Sequence, residues 1–464
     1  MVKVDRATLF AESVVNGTIN RKVGKLEYLA CKRHLDDLAR QGTEEFPFIW
    51  SEDKANEIMD FAENLTLAEG EEPQPLALWD FQCFVFGSWN GWIHKDTGYR
   101  RFRTSYMQVA RQNGKSLGNA VPSLFYGNFD GYQYPQVYAT ATKEAQAKIV
   151  VKECYKFINS DQELSGTKTK KGLFTIKDYK SEIECNLTNG IIKALGRDTD
   201  SIDGFRPYFG SVDEYHKHKT NQMYKLLSDG TKKLKQCLIS VITTAGFNLN
   251  YPCKELYDYC VNILNKLVPD ETQFVYICQL DKEDDIWNEE NWQKANPLWT
   301  PETLTSLRAD AIKAKEMQGE ELRNFMTKDL NIWVQMSDDD YINIDNWKEC
   351  GSDTTIEDMV GMECGVGLDL SSGGDLTSLA LEFELPEDQY YIYSHSFIPK
   401  NRLAEHVQTD KAPYDIWANP KNKNETPLIT ATETLGGVKT DYKYIIKHLE
   451  ELQEKYKFKY KNIF

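Results

Sequence analysis

The sequence predicts an α/β chain: a largely parallel sheet with helices on both faces, preceded by a helical annex and followed by a smaller, second α/β domain. Three observations predict it. Short apolar runs alternate with amphipathic stretches from about residue 104 to residue 246, the pattern of repeated βα units. The first 75 residues carry apolar positions at three- and four-residue spacing instead. Three strand-like runs separated by turns fill residues 362–399. A chain of 464 residues exceeds one ordinary domain, so two or three cores are expected.

The elements follow in order. EYLACKRHLDDLARQG and SEDKANEIMDFAENL read as helices, with Ser51 as an N-cap. The aromatic-rich stretch at 75–92 places Trp79, Phe84, Phe86 and Trp92, read first as core packing, and sets Gln82 just ahead of the next motif. YMQVARQNGKSLGNA at 106–120 is a short apolar strand, a polar turn, and a helix opening at Gly114-Lys115-Ser116. Strand, loop and helix N-terminus in that order build an anion site from backbone N–H groups and the positive end of a helix dipole. A phosphate suits it: Lys115 reaches the β/γ-phosphates and the Ser116 hydroxyl binds the Mg²⁺ that neutralises them. The first glycine of the usual G-x-x-x-x-G-K-[ST] pattern is replaced by Val109.

PYFGSVDEYH at 207–216 supplies the partner motif, an apolar strand ending in Asp213-Glu214. An acid at such a strand end holds Mg²⁺ through water, and the adjacent glutamate polarises the attacking water. Further strands are predicted at 136–140, 173–177, 182–186, 190–194 and 238–246. After the last of these, Thr243 and Thr244 stand where a hydroxyl senses the γ-phosphate, or where a strand simply ends. Residues 250–336 read as helical, with Pro301 at the first position of a long helix. In MECGVGLDLSSGGDLTSLALEFEL, Asp369 ends one strand and Asp375 opens the next; paired acids there are a candidate for two-metal chemistry or a pair of turn aspartates.

Composition narrows the function classes. Hydrophobic residues make up 41% and charged residues 27%, which excludes wholesale disorder. No apolar run is long enough to span a membrane and no signal core opens the chain, so a cytoplasmic location and no membrane partner are expected. Ten scattered cysteines without a C-x-x-C pair read as reduced, buried thiols. The net charge of −16 opposes nucleic-acid binding except through local basic islands, RRFR at 100–103, KTKK at 168–171 and KHK at 217–219.

Taken together, ARQNGKS (110–116), VDEYH (212–216), ITTAG (242–246), LRNFMTKDLNIWVQ (322–335), GLDLSSGGDLT (367–377) and LGGVKTDYKYI (435–445) resemble the large terminase subunit of tailed double-stranded DNA bacteriophages. The resemblance runs along nearly the whole chain. It implies an N-terminal helical region at 1–75, a P-loop ATPase core at 76–250, a helical extension and linker at 251–345, and an RNase H-like α/β domain at 346–464. By the same resemblance Arg111 couples or catalyses hydrolysis, Lys115 and Ser116, after Gly114, bind ATP and Mg²⁺, Asp213 serves the metal and Glu214 is the catalytic carboxylate; Gln82 is placed to read the adenine edge as a glutamine does in helicase-like ATPases, and Thr244, from its strand-end position, is the candidate nucleotide sensor. The first metal aspartate of the nuclease, which uses Mg²⁺ or Mn²⁺, matches Asp369, with Asp375 as a neighbour and Asp441 unassigned. The sequence runs to FKYKNIF, about where the next strand would begin, so the nuclease is expected to be partial and its activity in doubt.

The implied function is an ATP-driven motor in the host cytoplasm that moves double-stranded DNA into a procapsid and cuts it. Its implied partners are the portal protein, the small terminase subunit and further copies in a ring, with Arg197 and Arg206 as candidate arginines acting in trans. Two other functions were weighed against it. A helicase-like DNA repair ATPase needs a second βαβ series, and none is read after residue 250. A portal-docking assembly protein with an inactive nuclease does not need Lys115, Asp213 and Glu214 intact.

Overall fold

The computed structural model describes residues 5–70, 72–196, 205–335, 347, 349–371, 375–410, 412–420, 426–433 and 440–464. The chain divides into two compact units, Met1–Asp340 and Tyr341–Phe464.

Unit 1 is built on an eight-stranded sheet. In chain order its strands are β1 (Thr104–Gln108), β2 (Gln136–Thr140), β3 (Phe174–Lys177), β4 (Glu182–Cys185), β5 (Gly190–Leu195), β6 (Pro207–Asp213), β7 (Leu238–Thr243) and β8 (Gln273–Ile277). Their spatial order is β8-β1-β7-β6-β2-β5-β4-β3. From β8 to β5 all neighbours run parallel, and β5-β4-β3 continue as an antiparallel edge. The central strands are apolar on both faces because helices cover both, as a parallel sheet requires; every residue of β7 and β8 is buried.

Helices α1 (Arg6–Val15), α2 (Lys25–Arg40), α3 (Glu52–Glu63) and α4 (Asp80–Gly91) form the N-terminal annex. Asp5 caps α1 and Ser51 caps α3, each accepting from a backbone N–H. The annex packs into the sheet's own core. Phe84, Phe86 and Trp89 of α4 are buried, and the Trp89 indole donates to Ser105 Oγ of β1 (3.0 Å). At Gly87 a Cβ would come within 2.9 Å of Ala7, so glycine is what lets α1 and α4 touch. Polar bonds join the annex to the edge strand: Tyr276 of β8 donates to Glu27 (2.6 Å), which also pairs with Arg21.

β8 corrects the expectation of a purely helical segment after residue 250. QFVYI is a glutamine followed by four apolar or aromatic residues, too short for its period to be told from a helix turn; it becomes a strand by pairing with β1, which would otherwise leave an open edge. The helix predicted to run on from Pro301 also breaks, at Gln318 (φ 54°), into α9 (Pro301–Met317) and α10 (Gly319–Asn324). Two helices precede these, α7 (Gln222–Gly230) and α8 (Pro252–Leu264), while α5 (Lys115–Asn128) and α6 (Glu144–Asn159) follow β1 and β2.

Unit 2 is a five-stranded sheet of β9 (Glu363–Asp369), β10 (Thr377–Leu385), β11 (Gln389–Pro399), β12 (Ile429–Thr432) and β13 (Lys459–Ile463), ordered β12-β11-β10-β9-β13. The first three strands form an antiparallel meander. Thr377, Leu379, Leu381 and Phe383 face inward while Glu382 and Glu384 are exposed, the alternation of a sheet buried on one face. Helix α11 (Lys443–Tyr456) supplies Ile445, Leu452 and Tyr456 to that face. Here too an expectation is corrected: FKYKNIF does not stop short of the next strand but contains β13, parallel to β9.

Candidate functional site

The sheet register sets the site. Thr243 of β7 pairs with Gln108 of β1, and Asp213 of β6 pairs with Ile242 of β7, so three strand ends lie level at one edge. The loop 109–114 leaves β1 there, with Gln112 (φ 59°) and Gly114 (φ 69°) in the left-handed region. That alternation curls the backbone so that successive N–H groups face one point, and the first turn of α5 adds N–H groups its own helix leaves unmatched. The loop is pinned from behind. Arg111 N–H donates to the Lys328 carbonyl (2.8 Å), and buried Asn113 donates to Asn296 Oδ1 (2.9 Å) while accepting from Leu298 N–H (2.9 Å).

Lys115 folds over the loop, donating to the Val109 and Ala110 carbonyls (3.3 and 3.1 Å). Burial and the charges of Arg111 and Lys217 push its ammonium down to about 8, against the pull of Glu214 and Asp213. Ser116 is exposed at the helix start. Burial first, then the neighbouring Glu214, raises Asp213 to about 6, so this carboxylate is short of positive charge. Glu214 goes the other way. Burial would raise it, but His216, Lys217 and Lys115 outweigh that and bring it to about 2. Its backbone is left-handed (φ 51°), its N–H donates to the Ile242 carbonyl (3.1 Å), and its Oε2 meets Lys217 Nζ at 2.7 Å.

A buried polar chain leads away from Glu214. His216 Nε2 lies 3.7 Å from Glu214 Oε2, and its Nδ1 is 3.0 Å from Thr243 Oγ1 and 3.3 Å from Thr244 Oγ1. Burial pushes this imidazole down to about 3, so it is neutral. Ala245 N–H then donates to Asn331 Oδ1 (2.7 Å), and Asn331 donates to the Cys278 carbonyl (2.5 Å). Thr244 is therefore wired between the acidic strand end and the 328–334 segment that also holds the phosphate loop.

Gln82 sits against this loop: a Cβ on Gly114 would lie 2.7 Å from its Nε2, while its Oε1 accepts from Trp79 N–H (3.0 Å). Trp79 is 43% exposed, which corrects its reading as core. It lines a cavity of about 220 Å³ with Phe10, Arg21, Pro297 and Trp299, next to the loop's Leu298 anchor. A larger cavity, about 520 Å³, flanks Arg111 and Gln112 but is lined by Glu302, Asp310, Glu321 and Asp329. Those four acids outnumber the two cations of the same lining, Arg111 and Lys328, which favours an anion position on the Lys115 side.

The structure thus gathers Gln82, Arg111, Gly114, Lys115, Ser116, Asp213, Glu214 and Thr244 at one sheet edge. Sequence reading missed Asn113, His216, Lys217, Lys328 and Asn331; the basic run at 217–219 was the one visible signal. Arg206 lies at the opposite end of β6, and Arg197 falls outside the described residues. In unit 2, Asp369 ends β9 opposite Ser378, Asp375 is exposed with its N–H donating to Ser371 (3.1 Å), and Asp441 Oδ1 accepts from Lys443 N–H (3.0 Å). Among the described residues no three His, Cys, Asp or Glu side chains are grouped to hold a metal ion; residues 372–374 and 434–439 of the sequence motifs are not among them.

Comparison with known proteins converges on one family. The model for the ATPase domain of the terminase large subunit matches residues 80–262, and that for its endonuclease domain matches 267–455. The second match begins inside unit 1, ahead of β8; strand pairing puts the structural division later. The chain is 27% identical to protein YmfN of Escherichia coli K12, over 53% of this chain and 54% of that one. It is 24% identical to the terminase large subunit of Enterobacteria phage HK97, over 75% of this chain and 64% of that one. The chain therefore spans a little over half to just under two thirds of these relatives. The crystal structure of the HK97 large terminase shares its fold, with a TM-score of 0.51 at 21% identity over 87% of this chain and 78% of that one.

Proposed function

We propose, from the premise that this chain belongs to the terminase large-subunit family, that it is the ATP-hydrolysing motor of phage DNA packaging and that the strand edge of Lys115, Asp213 and Glu214 is its ATPase site. A terminase ATPase domain uses a nucleotide and a divalent metal, and the donor set here fits ATP with Mg²⁺. Asp213, with its raised pKa, is a carboxylate that a cation would stabilise, and the exposed Ser116 hydroxyl faces the same edge. Mg²⁺, when bound by Ser116 and Asp213, supplies charge to the β/γ-phosphate oxygens. Loop N–H groups and Lys115 hold the phosphates, Arg111 adds a cation from the loop, and Gln82 with Trp79 and Trp299 receives the base. Glu214 accepts a proton from the attacking water as it adds to the γ-phosphorus, and the bond to the β-bridging oxygen breaks to give ADP and phosphate. Thr244 and His216 carry the change to the 328–334 segment.

The observation that carries this reading is the level register of Gln108, Asp213 and Thr243. In the host cytoplasm, double-stranded DNA, the portal, the small subunit and further copies in a ring are the proposed partners. No described helix is long and apolar enough to cross a membrane. Genome cutting is proposed for unit 2 around Asp369, although its described acids do not complete a metal set. The test is a pair of variants. Lys115→Ala should lose nucleotide binding and turnover together, whereas Glu214→Gln should not weaken binding and should lose turnover by about 10²–10⁴-fold; parental turnover by the glutamine variant would disprove the site.

A further inference from the structure

We infer that Lys217 discriminates ATP from ADP: it holds Glu214 until a γ-phosphate draws it off, so the catalytic carboxylate is released only to a triphosphate. This rests on the ATPase reading above and adds a residue to it. Lys217 Nζ meets Glu214 Oε2 at 2.7 Å, with the two side chains 39% and 20% exposed. The same oxygen is 3.7 Å from the buried His216, so Oε2 of the carboxylate that must polarise water is engaged by the turn that follows it. The lysine has no other ion partner among the described residues.

Lys217 is also within electrostatic reach of Lys115 and of Lys328, on the two sides of the phosphate loop. Those like charges oppose its staying, and the ion pair with Glu214, with a weaker pull from Asp213, retains it. A lysine is a point charge on a four-carbon stem with three rotatable donors, able to swing between anions without a fixed fork geometry. ADP ends at the β-phosphate, which the loop N–H groups and Lys115 satisfy. ATP places a further doubly charged group in front of the Asp213-Glu214 strand end, between Lys115 and Lys217, and there it competes directly with Glu214 for the ammonium. The exchange frees Glu214 and leaves Lys217 on the γ-phosphate, where charge builds during transfer.

The experiment is a double-mutant cycle on the full chain. It measures displacement of a fluorescent ADP by ADP and by the non-hydrolysable imido analogue of ATP, both with Mg²⁺. Lys217→Met should weaken the ATP analogue about five- to tenfold and leave ADP within twofold, and Lys217→Arg should restore most of the difference. Glu214→Gln should tighten the ATP analogue severalfold, because Lys217 no longer has an ion pair to break, and that gain should vanish in the double variant. Unchanged ADP binding reports that the Met variant is folded. Equal effects of Lys217→Met on both nucleotides, or a Glu214→Gln gain that persists without Lys217, would overturn the inference. Failure of the parent chain to bind either nucleotide would instead refute the ATPase reading.

Discussion

His34 lies deep in the annex, where the Trp92 indole donates to its Nδ1 (3.0 Å) and its Nε2 lies 2.9 Å from Thr8 Oγ1. With Nδ1 accepting, the ring proton belongs on Nε2 and is donated to the threonine. Burial pushes the imidazole down from 6.5 to about 4. A histidine whose pKa is depressed in the folded chain contributes stability that is full above its unfolded pKa and lost as pH falls toward the folded one. The window is therefore pH 6.5 to 4, and the loss by pH 4 is about 3 kcal/mol. Urea denaturation across that range should show it, and His34→Gln should flatten the acid limb by the uptake of one proton. An identical pH slope in the variant would show that His34 is not the titrating group.

At the scale of elements, the phosphate loop shows what a pattern carries and what it leaves out. Gly114 needs its positive φ and has Gln82 Nε2 where a Cβ would go. Gly114→Ala should therefore strain the loop by about 1–2 kcal/mol and shift Gln82, weakening ATP at least about tenfold with far-UV dichroism unchanged; parental affinity would mean that the loop does not bind in this form. The loop, the acidic strand end and the alternating strands of both units were legible, because each is a local pattern of polarity and turn residues. What was not legible is non-local. QFVYI became a strand through its neighbour β1, Asn331 became a link through Ala245, and Lys217 met Glu214 because a left-handed residue turns the chain back on itself. None of these leaves a period in the sequence. The charge run at 217–219 could be seen, but not its partner.

Across the whole molecule, the arginines of unit 1 are spent mainly at the wrong end for catalysis. Arg101, fully buried, pairs with Asp37 and Glu271. Arg100 pairs with Asp130, and Arg103 donates to carbonyls of residues 231–235. All three precede β1, a five-residue strand of roughly 17 Å, so they stand that far from the loop that follows it. Arg206 immediately precedes β6 and is separated from Glu214 by the strand's seven residues, roughly 23 Å. It cannot serve its own site, yet it is exposed and free to face another copy's. Phosphoryl transfer commonly gains an arginine from a neighbour, and Arg111 is the arginine that stands on the loop of the proposed site itself. Turnover per chain should therefore rise at least about tenfold between dilute monomer and assembled ring, and Arg206→Ala should reduce the assembled rate while leaving the monomer's unchanged. Turnover followed against concentration, with assembly state measured by sedimentation, decides it. A constant rate per chain would show that the site is complete in one copy, and an assembled rate indifferent to Arg206 would move the search to another residue.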